Sequence, residues 1–246
     1  MDLSPWAGVE VVDRLGGNRN VVLEVRRGRE RLVARQPRRS TAALEWELDL
    51  LAFLADHGFR VPELVPADDG RRQVEGVVVQ RWLPGREPTE REWPAVAAEL
   101  ARLHSLTAGW PQRPGFRSTR ELLTEDRGGD VDLDPMPPAV VALCRNAWQQ
   151  LAGHHTVVHG DPCGPNVRVT EEGVGLLDWD EARVDHPDLD LADLPGPPLP
   201  APRGRIARAA VDAWEVAAAW TLEPEYARRR LTVLEEVSKR DGPVRR

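Results

Sequence analysis

A short polar stretch past the middle of the chain carries the residues best suited to chemistry. It begins with His159-Gly160-Asp161, continues through two prolines to Asn166, and is followed after two apolar segments by Asp178. Amide and carboxylate oxygens are hard ligands of the kind that Mg²⁺ prefers. An acid without a basic neighbour in its loop can take the proton of a hydroxyl group. Because phosphoryl transfer depends mainly on positioning and charge neutralisation, these residues predict a metal-dependent phosphoryl-transfer site.

Two predicted strands should position the predicted metal ligands. Apolar residues follow Asn166 and precede Asp178, and the turn between them lies at residues 171–173. If the strands pair in antiparallel fashion across this short turn, Asn166 opens one and Asp178 closes the other, so the two side chains share one rim. We expect that rim to lie next to the loop with Asp161.

The first third of the sequence is typical of an antiparallel sheet with one helix. Segments 8–12, 21–25 and 31–35 predict three strands, with turn residues between the first two. Ser40-Thr41 supplies good N-cap residues for a helix that ends near Gly58. Segments 61–65 and 76–82 then predict a hairpin that turns at residues 68–70.

Helical patterns dominate the remainder. Pro84-Gly85 breaks both strand and helix patterns and predicts a hinge. Helices are predicted at 94–106, 138–151, 203–221 and 224–238, with an irregular segment at 108–138. The sequence therefore predicts an α+β protein with a small, strand-rich N-terminal lobe, residues 1–83, and a larger, mainly helical C-terminal lobe, residues 84–246.

The motifs together resemble those of a known enzyme family. An Asn five residues after the Asp of His-x-Asp, followed by an Asp at a strand end, is similar to the catalytic and metal loops of kinase-fold enzymes. His159-Gly160-Asp161, Leu-Leu-Asp-Trp-Asp at 176–180, Ala-Arg-Leu-His ending at His104, and 185–192 resemble the aminoglycoside phosphotransferase and choline-kinase-like branch. The resemblance spans about 8–240, is strongest over 157–192, and implies a bilobal protein-kinase-like fold.

The resemblance implies a role for each residue of the central motif. Asp161 would be the catalytic base, and Asn166 and Asp178 would hold Mg²⁺. His159 and Asp190 would be supporting residues that brace the catalytic loop.

The resemblance also implies a nucleotide site in the first lobe, for ATP or GTP as co-substrate. Arg35 would grip phosphate and pair with Glu47, the turn at Gly16-Gly17 would cover the phosphates, and the base would bond to backbone groups near Arg81, Trp82 and Leu83.

Three features of the sequence leave alternatives open. Arg35 stands where the family has a lysine, and the swap is not conservative because arginine is longer and planar; an exposed strand arginine is the competing interpretation. The turn with Gly16 and Gly17 is short and has only these two glycines. Asp180 either reaches the metal or solvent, or merely ends the strand.

The composition restricts the class of protein. The 246 residues carry a formal net charge of −7, which argues against a general nucleic-acid binder. No apolar run approaches the roughly 20 residues that cross a bilayer, and the N-terminus has neither a basic start nor an apolar stretch. We therefore expect a cytoplasmic monomer or homodimer that binds neither nucleic acid nor membrane.

The leading hypothesis is a small-molecule kinase that transfers the terminal phosphoryl group of a nucleoside triphosphate to a hydroxyl of a small acceptor. The acceptor could be aminoglycoside-like, another amino alcohol or a sugar, and a cationic one would be attracted by the acidic residues within 126–134. The alternative is a catalytically weakened kinase-like protein that binds a nucleotide or a partner. A phosphatase-type nucleophile at Asp178-Trp179-Asp180 ranks last, because it leaves the His-Gly-Asp loop unexplained.

Overall fold

Antiparallel strands dominate the first third of the chain and helices the rest, in a computed structural model that describes residues 1–15, 20–196 and 198–240. The strands are β1 (Val9–Arg14), β2 (Val21–Arg27), β3 (Glu30–Gln36), β4 (Leu64–Val65), β5 (Val78–Arg81), β6 (Arg127–Gly128), β7 (Val131–Asp132), β8 (Thr156–Val158), β9 (Val167–Thr170), β10 (Gly173–Leu176) and β11 (Arg183–Asp185). The α-helices are α1 (Thr41–Asp56), α2 (Trp93–Leu106), α3 (Pro138–Gln149), α4 (Asp188–Leu191), α5 (Arg203–Ala219) and α6 (Pro224–Arg240).

The chain forms two compact units, and the first combines Met1–Pro88 with Gly164–Asp180. Its main sheet has the strand order β1-β2-β3-β5-β4, with antiparallel pairing throughout. The two-residue period of β3 places Leu32 and Ala34 in an apolar core with Val25 and Val79. Val33 and Arg35 consequently lie on the opposite face of the strand.

Helix α1 covers part of this sheet. Its predicted N-cap is confirmed, since the Ser40 hydroxyl accepts a hydrogen bond from the backbone N–H of Ala43 at 3.2 Å. Leu44 and Leu48 are buried against Val78 of β5. The helix stops just before Gly58, whose φ of +77° favours glycine.

The β9–β10 hairpin belongs to the first unit although it lies far along the sequence. Arg86 and Val169 exchange backbone hydrogen bonds of 3.2 and 2.8 Å, and the Leu176 N–H donates to the Arg60 carbonyl at 2.9 Å. A Cβ on Gly85 would lie 3.0 Å from Val169 O, at a φ of +135°, so this close approach needs glycine. The hairpin thereby reaches the strand face that presents Arg35.

The second unit comprises Thr89–Cys163 and the described residues from Glu181 onward. An apolar core of this unit joins α3, α5 and α6 through Trp148, Trp214 and Leu234. The Trp148 indole N–H donates to the Ala210 carbonyl at 3.1 Å, so this buried polar group is satisfied. None of the helices in the described ranges is both long and apolar enough to cross a membrane.

The predicted α+β, protein-kinase-like fold is confirmed, and the helix limits differ from the predicted ones by one or two residues. Two strands were predicted too long, because β4 covers only Leu64–Val65 and β5 begins at Val78 rather than Gly76. Glu75 and Gly76 have φ values of +52° and +76°, and Val74 and Val77 bond to each other across them at 2.8 and 3.0 Å. The chain therefore makes an extra tight turn before β5 starts.

Candidate active site

A cavity of about 460 Å³ lies within the first unit, between the β2–β3–β5 surface and the β9–β10 hairpin. Apolar residues such as Val22, Val33 and Leu177 form much of its wall. It brings together six of the predicted site residues: Arg35, Arg81, Trp82, Leu83, Asn166 and Asp178.

Asn166 and Asp178 lie side by side, as the hairpin argument predicts. The first ends the 3₁₀ turn Gly164–Asn166, directly before β9, and the second follows the end of β10. Val167 pairs with Leu176, and the Leu177 N–H donates to the Asn166 carbonyl at 2.8 Å. The pair therefore offers an amide oxygen and a carboxylate from neighbouring strand ends, a donor set that suits Mg²⁺.

Asp178 has an unusual backbone conformation. Its φ of +57° lies in the left-handed region, which non-glycine residues rarely adopt and which costs about 1–3 kcal/mol. The next residue is anchored, since Trp179 is 1% exposed and its indole N–H donates to the Leu176 carbonyl at 3.1 Å. The hairpin end thus holds Asp178 in a strained position, as is common at functional sites.

Arg35 is buried and paired, so the interpretation as an exposed strand arginine is wrong. Its guanidinium forms an ion pair with Glu47, which is fully buried on α1. Its Nε donates to Gln80 Oε1 at 3.0 Å. Burial opposes the charge, but Glu47, Asp180 and Asp178 outweigh it and raise the pKa of Arg35 above its usual value. The cavity therefore contains a fixed positive charge.

The other first-lobe residues form the rim. Arg81 pairs with Glu30, and the Arg31 guanidinium lies 3.3 Å from the centroid of the Trp82 ring. The Trp82 N–H donates to the Arg31 carbonyl at 3.2 Å. These contacts fix the backbone that leads to Leu83, whereas Gly16 and Gly17 lie outside the described residues.

Asp180 has a partner that the sequence did not indicate. Arg39 donates to its two carboxylate oxygens at 3.1 and 2.8 Å and to its carbonyl at 3.1 Å, and Asn20 donates to Oδ2 at 3.2 Å. Burial would raise the pKa of Asp180, but the charge and hydrogen bonds of Arg39 lower it below the usual value. This ion pair holds the chain two residues after Asp178.

In the second unit, Asp190 organises the loop that carries Asp161. One of its oxygens accepts hydrogen bonds from His104 Nε2 and the His159 N–H, both at 2.8 Å, and the other accepts from the Gly160 N–H at 2.9 Å. Burial opposes its charge, yet the His104 hydrogen bond and the other donors lower the pKa of Asp190. The sequence motif that ends at His104 therefore supplies one of the hydrogen-bond partners of Asp190.

Gly160 is required by close contact as well as by conformation. Its φ is +95°, and a Cβ there would lie 2.7 Å from the Glu181 carbonyl oxygen. Asp161 follows with an exposed side chain, and the Cys163 thiol donates to its carboxylate at 3.6 Å. The buried part of this loop thus holds it in place while the acid stays accessible.

Most of the carboxylates between residues 126 and 134 form ion pairs with arginines. Asp126 pairs with Arg145, while Asp132 and Asp134 both pair with Arg127. No group of three or more His, Cys, Asp or Glu side chains within the described part of the chain is arranged to hold a metal ion.

Comparison with known proteins identifies the family. The model of the phosphotransferase enzyme family matches residues 10–226. The chain therefore belongs to this family and is a phosphotransferase enzyme that acts on small molecules.

Individual relatives agree with this identification. An aminoglycoside 3'-phosphotransferase of Streptomyces ribosidificus is 31% identical over 188 residues, covering 66% of this chain and 69% of the relative. The crystal structure of choline kinase LicA from Streptococcus pneumoniae superimposes with a TM-score of 0.66 at 16% identity, covering 95% of both chains. A thermostable mutant of aminoglycoside phosphotransferase APH(4)-Ia, in ternary complex with ADP and hygromycin B, gives a TM-score of 0.64 at 13% identity and covers 96% of this chain and 95% of that one. The two structural matches support the fold.

Proposed function

We propose that this phosphotransferase transfers the terminal phosphoryl group of a Mg²⁺-bound nucleoside triphosphate to a hydroxyl group of a small molecule. The observation that carries the proposal is the cavity that Arg35, Asn166 and Asp178 line together. It combines one buried positive charge with two oxygen ligands. Phosphoryl-transfer enzymes need this combination to neutralise charge on the phosphates.

Arg35 would take the phosphate-gripping role of a lysine. Within the described residues its Nη1 is buried without a hydrogen-bond partner, which is costly for a charged group unless a ligand supplies an acceptor. Glu47 holds the guanidinium from the side of α1. The longer arginine side chain is therefore already supported in one orientation.

Asn166 and Asp178 would hold Mg²⁺. A bound Mg²⁺ usually takes one or two protein carboxylates and fills the rest of its shell with phosphate oxygens and water, and the ion would neutralise charge on those phosphates. The fixed backbone of Asp178 keeps its carboxylate directed without further reorganisation. As part of the same proposal, residues 1–83 bind the nucleotide and residues 84–246 supply catalysis and acceptor binding.

Asp161 would accept the proton of the acceptor hydroxyl. Its loop is braced through His159 and Gly160 by Asp190, so the carboxylate would be positioned by buried hydrogen bonds rather than by its own contacts. General-base catalysis contributes about 10²–10⁴-fold to a rate. The relatives named above are an aminoglycoside 3'-phosphotransferase, a choline kinase and an aminoglycoside phosphotransferase bound to hygromycin B, which favours hydroxyl-bearing amines as acceptors.

A nucleotide-consumption screen tests the proposal. ATP and GTP with Mg²⁺ are offered with aminoglycosides, amino alcohols and sugars, to the wild type, Asp161→Asn and a control, Asp69→Asn, in an exposed turn. We expect at least one acceptor to stimulate turnover, and Asp161→Asn to lower kcat by about 10²-fold or more while nucleotide still binds. If nucleotide binds but no acceptor is phosphorylated, the catalytically weakened binding protein is the better description.

A further inference from the structure

The inner wall of the cavity has a polar residue that the sequence did not single out. Gln80 of β5 is 4% exposed and lines the cavity, opposite Val33 of β3 in the strand register. In the part of the chain that the structure describes, its Nε2 is buried without a hydrogen-bond partner. An unsatisfied buried donor is unfavourable, so a ligand that supplies an acceptor there would be preferred.

The orientation of the Gln80 amide is fixed by its neighbour. Arginine Nε–H can only donate, and Arg35 Nε lies 3.0 Å from Gln80 Oε1. Rotating the amide by 180° would bring its NH₂ group against the Arg35 N–H, so two donors would face each other. Gln80 must therefore direct its NH₂ group away from Arg35, so the unsatisfied group of this cavity-lining residue is a donor rather than an acceptor.

The surroundings of Gln80 suit a nucleobase. Val22, Val33 and Leu177 supply apolar surfaces for the faces of a planar ring. The chain continues from Gln80 past the end of β5 at Arg81 into the rim residues Trp82 and Leu83. The charged groups Arg35 and Asp178 mark the part of the cavity that suits phosphates. Gln80 pairs with Val33 in the strand register and contacts Arg35, so its amide borders both the apolar wall and the charged part and would meet the edge of the base.

We infer that Gln80 makes the site select a 6-oxopurine nucleotide, guanine or hypoxanthine, over adenine. This inference rests on the proposed nucleotide site and adds a base preference to it. Guanine and hypoxanthine have a carbonyl oxygen at position 6, which accepts a hydrogen bond from Gln80 Nε2. Adenine has an amino group at that position, which would face the amide donor and leave both groups unsatisfied. A buried polar mismatch of this kind is the strongest basis for discrimination between similar ligands.

Binding of GTP, ITP and ATP in the presence of Mg²⁺ tests the inference. ITP has the 6-oxo group of GTP but lacks its 2-amino group, so it separates the two features. We expect the wild type to bind GTP and ITP about 10-fold or more tightly than ATP, within the range expected for one unsatisfied buried group. Equal or tighter binding of ATP, or ITP that behaves like ATP, would overturn the inference.

Two substitutions of Gln80 sharpen the test. Gln80→Glu keeps an acceptor for Arg35 Nε and replaces the amide donor by an oxygen, so the GTP-to-ATP affinity ratio should fall about 10-fold or more. Gln80→Met removes the donor without adding charge and should lower the same ratio. The control Gln36→Glu, on β3 but outside the cavity lining, should leave the ratio unchanged.

The remaining outcomes distinguish this inference from the proposed function. If the Gln80 variants weaken all three nucleotides by the same factor, the amide serves the phosphates or supports Arg35, and the base preference is wrong. If the folded wild type binds none of the three, the nucleotide site itself is refuted. Thermal melting of each variant shows whether it is folded, and the affinity ratio is insensitive to a general loss of binding.

Discussion

Replacing Asp190 by Asn should destabilise the second unit by about 3–5 kcal/mol, the range for breaking a buried charged interaction. The carboxylate is 1% exposed and accepts from three donors, His104 Nε2 and the N–H groups of His159 and Gly160, at 2.8, 2.8 and 2.9 Å. Asn has one oxygen, so at least one donor must face its NH₂ group. Losing that acceptor costs about 1–3 kcal/mol, and the other bonds lose their charge assistance.

Urea unfolding followed by tryptophan fluorescence would measure this loss, with Asp134→Asn as a matched control. Asp134 is an exposed acid of the same unit that pairs with Arg127, and such a surface pair contributes at most about 1 kcal/mol. Hydrogen exchange should also accelerate at the Gly160 amide in Asp190→Asn. If Asp190→Asn costs no more than the control and Gly160 remains protected, the carboxylate does not brace the loop.

Three further changes have outcomes that follow from the structure. Gly160→Ala should lower the free energy of unfolding by about 2 kcal/mol or more, because the new methyl would meet the Glu181 carbonyl at a positive φ; calorimetry would detect it. Arg39→Met should lower the free energy of unfolding by about 3–5 kcal/mol, because it removes the arginine that pairs with the buried Asp180. The double change Arg39→Met with Asp180→Leu should recover much of this loss, as urea unfolding would show. Burial raises the pKa of Asp212 from 3.8 to about 6, so this group makes stability fall as pH rises between those values. Asp212→Asn should therefore stabilise the protein by up to about 3 kcal/mol at pH 7 and by little near pH 4, as unfolding free energies at both pH values would show.

The parts of the site that depend on local chain direction could be predicted from sequence. Asn166 and Asp178 flank two short apolar segments joined by a turn, and an antiparallel pair leaves little freedom in where those ends lie. The N-cap at Ser40 and the glycine at 58 are likewise decided by a few neighbouring residues. Local rules therefore yielded the strand and helix pattern and the proximity of Asn166 to Asp178.

The partners of buried charges could not be predicted in the same way. Arg39 and Asp180 are 141 positions apart, and Arg35 and Gln80 are 45 apart. In a chain with so many arginines, nothing in the sequence distinguishes Arg39 from a solvated surface residue. Gln80 lies in an apolar strand pattern, and only the packed cavity shows that its amide has a fixed direction.

The discontinuous first unit has a consequence for biosynthesis. The ribosome completes the sheet and α1 well before it reaches Gly164–Asp180, because α2 and α3 of the second unit are made in between. Until the β9–β10 hairpin emerges, the backbone of Arg60 and Arg86 must bond to water instead. A nascent chain that stalls after Pro88 would contain Arg35 and Glu47 but neither Asn166 nor Asp178. Premature termination would therefore release a sheet that carries the proposed phosphate-binding arginine but lacks both proposed Mg²⁺ ligands.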